Sequence, residues 1–246
     1  MDERTLIVIP TYNERGNIER LIAELLHLPY PLDILVVDDN SPDGTGKIVD
    51  EIAEKEPRVK IIHREGKGGR GGATIDGFRY GLSQGEKYTY IMEMDADFSH
   101  SPVDLPKLLE KAKEYDVVIG SRYLPGSKIV NWGPMRTIFS HLANFYARAI
   151  LRIPISDYTN GYRLYRREVL ASLDFDKIEE KGYIVLSELA YQIHLLGFRI
   201  GEVPTVFVNR QRGTSNLTFG EIYSAFVTVL KLWWRYRGFQ KKQGRK

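Results

Sequence analysis

The acidic residues best suited to bind a metal ion or to take part in catalysis lie where an apolar segment ends, in YIMEMDADFSHSP (residues 90–102). Asp95 and Asp97 are two positions apart, and Glu93 precedes them at the same spacing. Carboxylates at positions i and i+2 beyond a strand can both reach one hard cation, because the turn brings their oxygens together. Mg²⁺ typically takes one or two protein carboxylates and completes its shell with water and substrate phosphate. The spacing thus permits a cation site at Asp95 and Asp97, with Glu93 as a structural acid of the strand.

The same segment also fits a structural role without a ligand. Acidic residues can simply end a buried strand, and Ser101 before Pro102 is typical of the residue that caps a helix N-terminus. The spacing by itself leaves the cation site and the structural interpretation open.

Two other predicted strands also end in polar clusters, PTYNE (10–14) and VVDDNSPDGT (36–45). Asp38 or Asp39 could accept hydrogen bonds from a ribose or a base, although Asp, Asn, Pro and Gly are also common turn residues. Ligands of α/β sheets bind at the carboxyl ends of the strands. Three polar strand ends therefore indicate a ligand site at one edge of the sheet. Phospho-receiver domains also carry an acidic pair, but theirs follows the first strand, so we do not favour that class.

The segment HREGKGGRGGATIDG (63–77) is rich in glycine. Its backbone amides could face a phosphate at the start of a helix, and Lys67 and Arg70 could reach a bound anion. It lacks the lysine–hydroxyl pair of a phosphate-binding P-loop. We interpret it as a flexible loop of low specificity.

Six arginines lie near the ends of predicted elements: Arg122, Arg136, Arg163, Arg166, Arg210 and Arg212. Arginine recognises phosphate through paired hydrogen bonds. Each one alone fits a surface charge. As a set opposite an acidic metal site, they suggest two phosphorylated substrates.

The elements that would position these residues alternate along the first half of the chain. Strands are predicted at 5–10, 33–39, 59–64, 88–95 and 116–121, and helices at 17–28, 46–57, 72–84 and 103–115. Continuously apolar strands separated by helices predict an α/β fold whose mostly parallel, Rossmann-like sheet is covered on both faces.

After residue 125 the alternation stops. We predict helices at 135–152, 184–196 and 219–236, and a short strand pair at 199–208. This pattern predicts one domain at 1–217, with halves 1–125 and 126–217, and an amphipathic helix with a basic tail at 218–246. The helix at 135–152 carries apolar residues along one side, which could pack on the core or face a lipid.

Composition excludes several classes of protein. The 246 residues are 43% hydrophobic and 27% charged, which is typical of a globular protein. A net charge of +3 gives no general attraction to nucleic acid. There are no cysteines, so disulfides, thiolate metal sites and cysteine nucleophiles are excluded.

The C-terminal segment is predicted to lie on a membrane surface and not to cross it. A transmembrane helix needs about 20 largely uncharged residues, and the best candidate, 217–234, is interrupted by Glu221 and Lys231. Trp233 and Trp234 precede a basic end, which is typical of a helix drawn to anionic lipid. We therefore expect a cytoplasmic protein that is peripheral on the cytoplasmic face of a membrane. A small membrane subunit could use the same helix.

Together these motifs resemble family 2 glycosyltransferases of the GT-A fold, most closely the dolichol-phosphate and polyprenol-phosphate mannosyltransferases. The resemblance covers about residues 5–217. It rests on IPTYNE, VVDDNSPDGT, GRGGA, MDADFSHSP, GSRY, DYTNGYRLYRREVL and GFRIGEVPTVFVNRQRGTSN. The DAD element alone occurs in many transferases, whereas its combination with GSRY and the late basic segment is more specific.

The resemblance implies roles for individual residues. The nucleotide sugar would be bound by Pro10, Tyr12, Glu14, Val37, Asp39, Asp95, Ala96, Arg210 and Asn216. The metal would be held by Asp95, Asp97 and Ser99, and the acceptor phosphate by Arg122, Arg136 and Ser140. The catalytic set would be Asp97, Asp95 and Arg122. The chain departs from the family pattern at Asn216, where a lysine is usual, and at Ser99, where some relatives have glutamine.

The implied reaction is a metal-dependent, inverting transfer of mannose from GDP-mannose to a dolichyl or polyprenyl monophosphate. The cofactor would be Mg²⁺ or Mn²⁺, the product a β-mannosyl phosphate lipid, and the process protein glycosylation. One alternative is the same chemistry with UDP-glucose or another nucleotide sugar. An alternative of another class is a catalytically silent subunit that binds a nucleotide sugar.

Overall fold

A computed structural model of the chain describes residues 3–66, 68–178, 184–209 and 226–236. Its strands are β1 (Thr5–Thr11), β2 (Leu32–Asp38), β3 (Val59–His63), β4 (Tyr90–Glu93), β5 (Val117–Ser121), β6 (Lys128–Val130), β7 (Arg163–Arg166), β8 (Ile200–Pro204) and β9 (Val206–Val208). Its helices are α1 (Ile18–Leu26), α2 (Thr45–Ala53), α3 (Arg70–Ser83), α4 (Leu105–Lys111), α5 (Pro134–Leu151), α6 (Arg167–Ala171) and α7 (Val185–Leu195).

The main sheet has seven strands in the order β3-β2-β1-β4-β7-β5-β8. All neighbours are parallel except β7, which runs antiparallel to both β4 and β5. The mostly parallel α/β fold expected from the sequence is therefore confirmed. Strand β7 was not predicted, because four residues with an arginine at each end carry no apolar run.

The predicted strand pair at 199–208 is wrong in its pairing. Both strands exist, but β8 joins β5 in the main sheet, while β9 pairs in parallel with β6 in a two-stranded ribbon. The chain leaves the main sheet at Thr205, between the two strands. An isolated bridge between His100 and Phe207 connects β9 to the loop after β4.

The core lies on both faces of the main sheet. Successive side chains of a strand point to opposite faces, and β1 shows this clearly, since Leu6 and Val8 pack in one cluster and Ile7 and Ile9 in the other. All four are fully buried. Burial of both faces explains why the strands are continuously apolar.

The helical residues 226–236 pack against α5 and α7. Val229 and Leu232 are buried there, and Tyr146 in α5 donates a hydrogen bond to the Phe226 carbonyl at 3.1 Å. Arg235 forms an ion pair with the buried Glu188 of α7 at 3.1 Å. Within the described ranges, no helix is long and apolar enough to cross a membrane.

Candidate functional site

The polar clusters meet at one edge of the main sheet. Strands β1, β2, β4 and β5 run in one direction, so their carboxyl ends share this edge. Because β7 is antiparallel, the chain enters it from the same edge, and residues 157–162 lie between the ends of β4 and β5. The fold therefore gathers the three polar strand ends and adds the segment DYTNGY to them.

The loop after β4 is a closed turn that presents Asp95 and Asp97. The Met94 amide donates to the Val8 carbonyl at 3.1 Å and extends the strand by one residue. Phe98 has φ 60°, a left-handed conformation that is uncommon for a bulky residue. This turn brings the Ser99 amide to Asp97 Oδ1 at 3.0 Å. The two aspartates are thus held on an ordered loop.

His100 fixes the other end of this loop. The Asp95 amide donates to His100 Nδ1 at 3.0 Å, so Nδ1 carries no hydrogen and Nε2 donates to Asn160 Oδ1 at 2.7 Å. The Asn160 side-chain amide in turn donates to the Gly120 carbonyl of β5. The buried His100 therefore has a structural role and ties the Asp95 loop to β5.

Arg70, at the start of α3, is the cation nearest to the acids of β4. Its Nε donates to Asp95 Oδ1 at 2.6 Å, and its Nη1 lies 3.3 Å from Glu93 Oε2. Arg70 was expected to reach a bound anion. In the structure its guanidinium binds two carboxylates of the protein, those of Asp95 and Glu93. The two contacts set the position of Asp95 relative to Glu93.

Glu93 is a fully buried acid of β4. Its Oε1 accepts a hydrogen bond of 2.8 Å from the Tyr165 hydroxyl, and its Oε2 lies 3.5 Å from Thr74 Oγ1. Burial, and then the Glu93 charge, raise the pKa of Tyr165 well above its ordinary value, so that this hydroxyl remains a donor. Glu93 accordingly supports Arg70 from within the core and does not face solvent.

The residues of the loop fit a hard divalent cation. Asp95, Asp97 and Ser99 offer only oxygen atoms, which Mg²⁺ and Mn²⁺ prefer. Ser99 Oγ is buried and has no hydrogen-bond partner among the described residues. The described ranges hold no group of three or more acidic or histidine side chains that could bind a metal. A cation here would therefore rely on two carboxylates, water and a substrate.

Ser101 occupies the cap position before the 3₁₀ turn at Pro102–Asp104, as expected, but its side chain makes no capping hydrogen bond. Its carbonyl accepts from the Asp104 amide at 3.1 Å and from the Tyr162 hydroxyl at 2.8 Å. The backbone of Ser101 thus fixes this turn.

The glycine-rich segment is anchored on Asp39. The Gly68 and Gly69 amides donate to the Asp39 carboxylate at 3.0 and 2.8 Å, and Arg64 Nη1 donates to it as well. Arg64 Nε also holds Asp76 of α3 at 2.8 Å. The segment interpreted as a flexible loop is thus anchored at Gly68 and Gly69 on the buried Asp39. Lys67 lies outside the described residues.

The other residues expected at the nucleotide surround the ends of β1 and β2. Pro10 pairs with Val37 in the sheet register, and the Val37 side chain is fully buried. Tyr12 is 38% exposed. The Glu14 amide donates to Thr45 Oγ1 at 2.9 Å, which joins the loop after β1 to the start of α2. Ala96, between the two aspartates, is buried.

Arg122, just after β5, is held by a buried carboxylate. Its Nε and Nη2 donate to the two oxygens of Asp157, both at 2.7 Å, and Nη2 also donates to Thr159 Oγ1 at 2.7 Å. Burial alone would lower the pKa of Arg122, but the adjacent Asp157 charge raises it above the ordinary value. Burial likewise opposes ionisation of Asp157, and Arg122 holds the Asp157 pKa below its usual range. Both groups are charged at neutral pH.

Arg136 and Ser140 lie beside Arg122 on the first turns of α5. The Arg122 and Arg136 guanidinium carbons lie 5.4 and 4.4 Å from the ring centroid of Trp132. Arg136 Nη1 donates to Asn209 Oδ1 at 2.9 Å. Ser140 Oγ shares a hydrogen bond with the Tyr123 hydroxyl. The three residues expected at the acceptor phosphate thus belong to one cluster.

Two of the six arginines are structural. Arg163 is buried and donates to the carbonyls of Asn160, Tyr158 and Leu186. Arg166 donates to the carbonyls of Ala112 and Tyr115. The suggestion that they bind phosphate is wrong, because their guanidinium groups already donate to backbone carbonyls of the protein. Arg210, Arg212 and Asn216 lie outside the described residues.

Sequence reasoning did not find Asp157, Arg64 or Asn160. Arg122 and Asp157 are 35 positions apart, and Arg64 and Asp39 are 25 apart. Neither pair follows a helical or strand period, so only the fold reveals it. The one local signal is the polar segment DYTNGY after the predicted helix at 135–152.

Comparison with known proteins identifies the family of the chain. Residues 6–174 match the model of glycosyl transferase family 2. The chain is 43% identical over 243 residues to undecaprenyl-phosphate mannosyltransferase from Micrococcus luteus, which covers 98% of this chain and 99% of the relative. It is also 43% identical over 238 residues to polyprenol monophosphomannose synthase from Mycolicibacterium smegmatis, covering 96% of this chain and 88% of the relative.

Solved structures share the fold at low identity. Mannosyl-3-phosphoglycerate synthase from Rubrobacter xylanophilus has a TM-score of 0.67 at 18% identity and covers 99% of this chain and 75% of its own. Glucosyl-3-phosphoglycerate synthase from Mycobacterium tuberculosis, in complex with Mn²⁺, UDP and glucosyl-3-phosphoglycerate, has a TM-score of 0.64 at 19% identity, with 94% and 78% covered. The GT-A fold expected from the sequence is thus confirmed. The chain belongs to glycosyl transferase family 2 and is a glycosyltransferase.

Proposed function

We propose that the protein transfers mannose from GDP-mannose to a dolichyl or polyprenyl monophosphate. The observation that carries the proposal is the pairing of an acidic loop with an arginine cluster at one sheet edge. Asp95 and Asp97 follow β4, and Arg122 follows β5. The near full-length similarity to two relatives named for polyprenyl-phosphate or polyprenol mannosyl transfer supports the sugar and the acceptor.

The acceptor's own chemistry explains why arginines suit it. The second pKa of a phosphate monoester is about 6, so the acceptor is mostly a dianion at neutral pH and needs little help from a base. Arg122, Arg136 and Ser140 would bind this phosphate and offset its repulsion from the diphosphate of the donor. Attack on the anomeric carbon in one step would invert its configuration, so an α-linked donor would give a β-mannosyl phosphate lipid.

The donor side needs charge stabilisation as its nucleoside diphosphate leaves. A Mg²⁺ or Mn²⁺ ion held by Asp95 and Asp97, with Ser99 beside them, would stabilise that charge as a Lewis acid. Arg70, which binds Asp95 at 2.6 Å, would keep this carboxylate in position. We assign the remaining donor contacts to Pro10, Tyr12, Glu14, Val37, Asp39 and Ala96, together with Arg210 and Asn216.

The acceptor's apolar chain implies contact with a membrane, and α5 offers a surface for it. We define the α5 ridge as its exposed apolar residues Met135, Ile138, Phe139, Leu142 and Phe145, which are 38–73% exposed. Tyr146 and Ile150 of the same helix pack partly on the core. Trp233 and Trp234 are also exposed, at 38% and 63%. We propose that the 1–217 domain docks through the α5 ridge and the 218–246 segment on the cytoplasmic face of a membrane; a small membrane subunit is the rival occupant.

The chemistry is tested with a short polyprenyl phosphate and several nucleotide sugars, in the presence of Mg²⁺, Mn²⁺ or a chelator. GDP-mannose should be the best donor, and the chelator should stop transfer. Asp97→Ala should abolish transfer in a folded protein. Preference for a UDP-sugar would contradict the donor, and retained activity of Asp97→Ala with unchanged metal dependence would contradict the metal site. A folded wild-type protein that binds GDP-mannose without turnover would indicate a silent subunit.

Membrane docking is tested by flotation with anionic liposomes. The double variant Leu142→Ser/Phe145→Ser should float several-fold less than wild type, because it removes two of the most exposed apolar side chains of the α5 ridge. Leu196→Ser is the matched control, since Leu196 is an exposed apolar residue (46%) that follows α7. Equal flotation of the ridge variant and the control would contradict docking through α5. Trp233→Ser/Trp234→Ser tests the tail separately, because these two side chains are exposed and the buried Val229 and Leu232 are kept.

A further inference from the structure

Trp132 contacts Arg122 and Arg136, the two arginines expected at the acceptor phosphate. Its ring centroid lies 5.4 Å from the Arg122 guanidinium carbon and 4.4 Å from that of Arg136. Phe207 of β9 packs edge-on against the indole, with centroids 5.5 Å apart and an interplanar angle of 74°. One aromatic side chain, supported by β9, thus lies against two positive charges.

Two guanidinium groups on one ring repel each other. Asp157 compensates the charge of Arg122, and Arg136 donates a hydrogen bond to Asn209. The electron-rich face of an indole attracts cations, and tryptophan does so more strongly than tyrosine or phenylalanine. Trp132 therefore supplies an attraction that both arginines share.

The indole is held in place by packing. Its Nε1 is buried and has no hydrogen-bond partner among the described residues. The ring packs against Arg122, Arg136 and Phe207. A phenyl ring at position 132 would keep the aromatic face, while an aliphatic side chain would lose it.

The Arg122 guanidinium also has a donor left for a ligand. Its Nε and Nη2 are used by Asp157 and Thr159, and Nη1 has no hydrogen-bond partner in the described part of the chain. Asp157 fixes the plane of the Arg122 guanidinium, and Asn209 accepts a hydrogen bond from Arg136. Neither of these contacts joins the two arginines, whereas the Trp132 ring lies against both guanidinium groups.

We infer that Trp132 is a positioning residue that holds the Arg122 and Arg136 guanidinium groups together for one phosphate monoester, that of the lipid acceptor. This inference rests on the proposed function, in which both arginines bind that phosphate. Trp132 acts through the arginines and sets acceptor affinity. The donor's diphosphate depends on other residues.

The test measures KM for a short, soluble polyprenyl phosphate, KM for GDP-mannose, and kcat. Trp132→Leu should raise the acceptor KM about tenfold, equivalent to about 1.4 kcal/mol of binding free energy. The donor KM should stay within about twofold. Trp132→Phe should restore the acceptor KM to within about threefold of wild type, because the aromatic face is kept. Trp132→Met provides a second non-aromatic variant if the leucine variant does not fold.

A double-mutant cycle with Arg136→Ala separates positioning from a general structural role. In the Arg136→Ala background, Trp132→Leu should change the acceptor KM by less than about threefold, because one of the two positioned groups is gone. Fully additive effects, equal rises in donor and acceptor KM, or a phenylalanine variant as impaired as leucine would each overturn the inference. A wild-type protein that transfers nothing to polyprenyl phosphate would contradict the proposed function instead.

Discussion

Asp157 accepts hydrogen bonds from both Nε and Nη2 of Arg122, each at 2.7 Å. The Arg122 backbone amide also donates to this carboxylate, at 3.1 Å. The pair is buried at the end of β5, and the Asp157 backbone amide donates to Glu202 Oε1 of β8 at 3.0 Å. A candidate catalytic arginine is thus locked in orientation by a residue 35 positions away.

Asp157→Asn should destabilise the protein and impair transfer together. Removing one partner of a buried ion pair leaves the other charge uncompensated and costs about 3–5 kcal/mol. We expect a loss of about 3 kcal/mol in the free energy of unfolding, measured by urea denaturation, and at least tenfold lower kcat/KM for the acceptor. Asp50→Asn is the matched control, because Asp50 forms a half-exposed pair with His63. The control should stay within about 0.5 kcal/mol of wild type, and equal losses in both variants would contradict the prediction.

Arg70→Met should destabilise the protein through Glu93. Among the described residues, the substitution leaves the fully buried Glu93 carboxylate with the hydroxyl donors Tyr165 and Thr74 only, at a cost of about 3 kcal/mol. Adding Glu93→Gln to Arg70→Met should recover at least half of that loss, because the charge of the fully buried Glu93 is removed. Calorimetric melting of the single and double variants measures this coupling. A double variant less stable than Arg70→Met alone would show that Arg70 does not compensate Glu93.

Ser99→Ala should separate stability from the metal requirement. Ser99 Oγ is buried without a hydrogen-bond partner among the described residues, and leaving a hydroxyl unpaired is unfavourable. The alanine variant should therefore be as stable as wild type or slightly more stable. If Ser99 is a cation ligand, the Mg²⁺ concentration for half-maximal transfer should rise severalfold. Thermal unfolding and metal titration measure the two effects, and an unchanged metal requirement would remove Ser99 from the proposed site.

Asp33→Asn should change the pH dependence of stability without changing activity. Asp33 lies near the start of β2, opposite the site, and binds Arg4, Lys87 and Tyr88. Burial opposes its ionisation, but Lys87, Tyr88 and Arg4 lower its pKa below 3.8 in the folded protein. A folded pKa below the unfolded one means that the stabilisation is present above about pH 4 and is lost as pH falls through the folded pKa.

The variant should therefore lose about 2 kcal/mol at pH 7, the usual range for hydrogen bonds to a charged group. The difference from wild type should narrow below pH 4. Urea denaturation between pH 2.5 and 7 measures it, with transfer assayed at neutral pH. A gap that widens as pH falls would show that the pKa of Asp33 is raised by folding.

The local sequence pattern was sufficient to predict most helices and strands of residues 1–125. Strands β1, β2 and β3 and helices α1 and α3 lie within a few residues of their predicted bounds, because continuous apolar runs and helical apolar spacing report burial directly. Strand β7 and the partners of β8 and β9 could not be found this way. Their pairing depends on which edges are open in the folded sheet, and that is not a property of a short segment.

The candidate site was likewise predicted only in part from the sequence. The sequence alone determined which strand ends are polar and that Asp95, Asp97, Arg122 and Arg136 carry the charges suited to two phosphorylated substrates. Only the tertiary structure decided which charges already have partners. It placed Arg163 and Arg166 on backbone carbonyls, Asp39 on the glycine-rich segment and Asp157 on Arg122. The reason is physical: a side chain's chemistry follows from its type, whereas its hydrogen-bond partners and burial follow from residues that are distant in sequence.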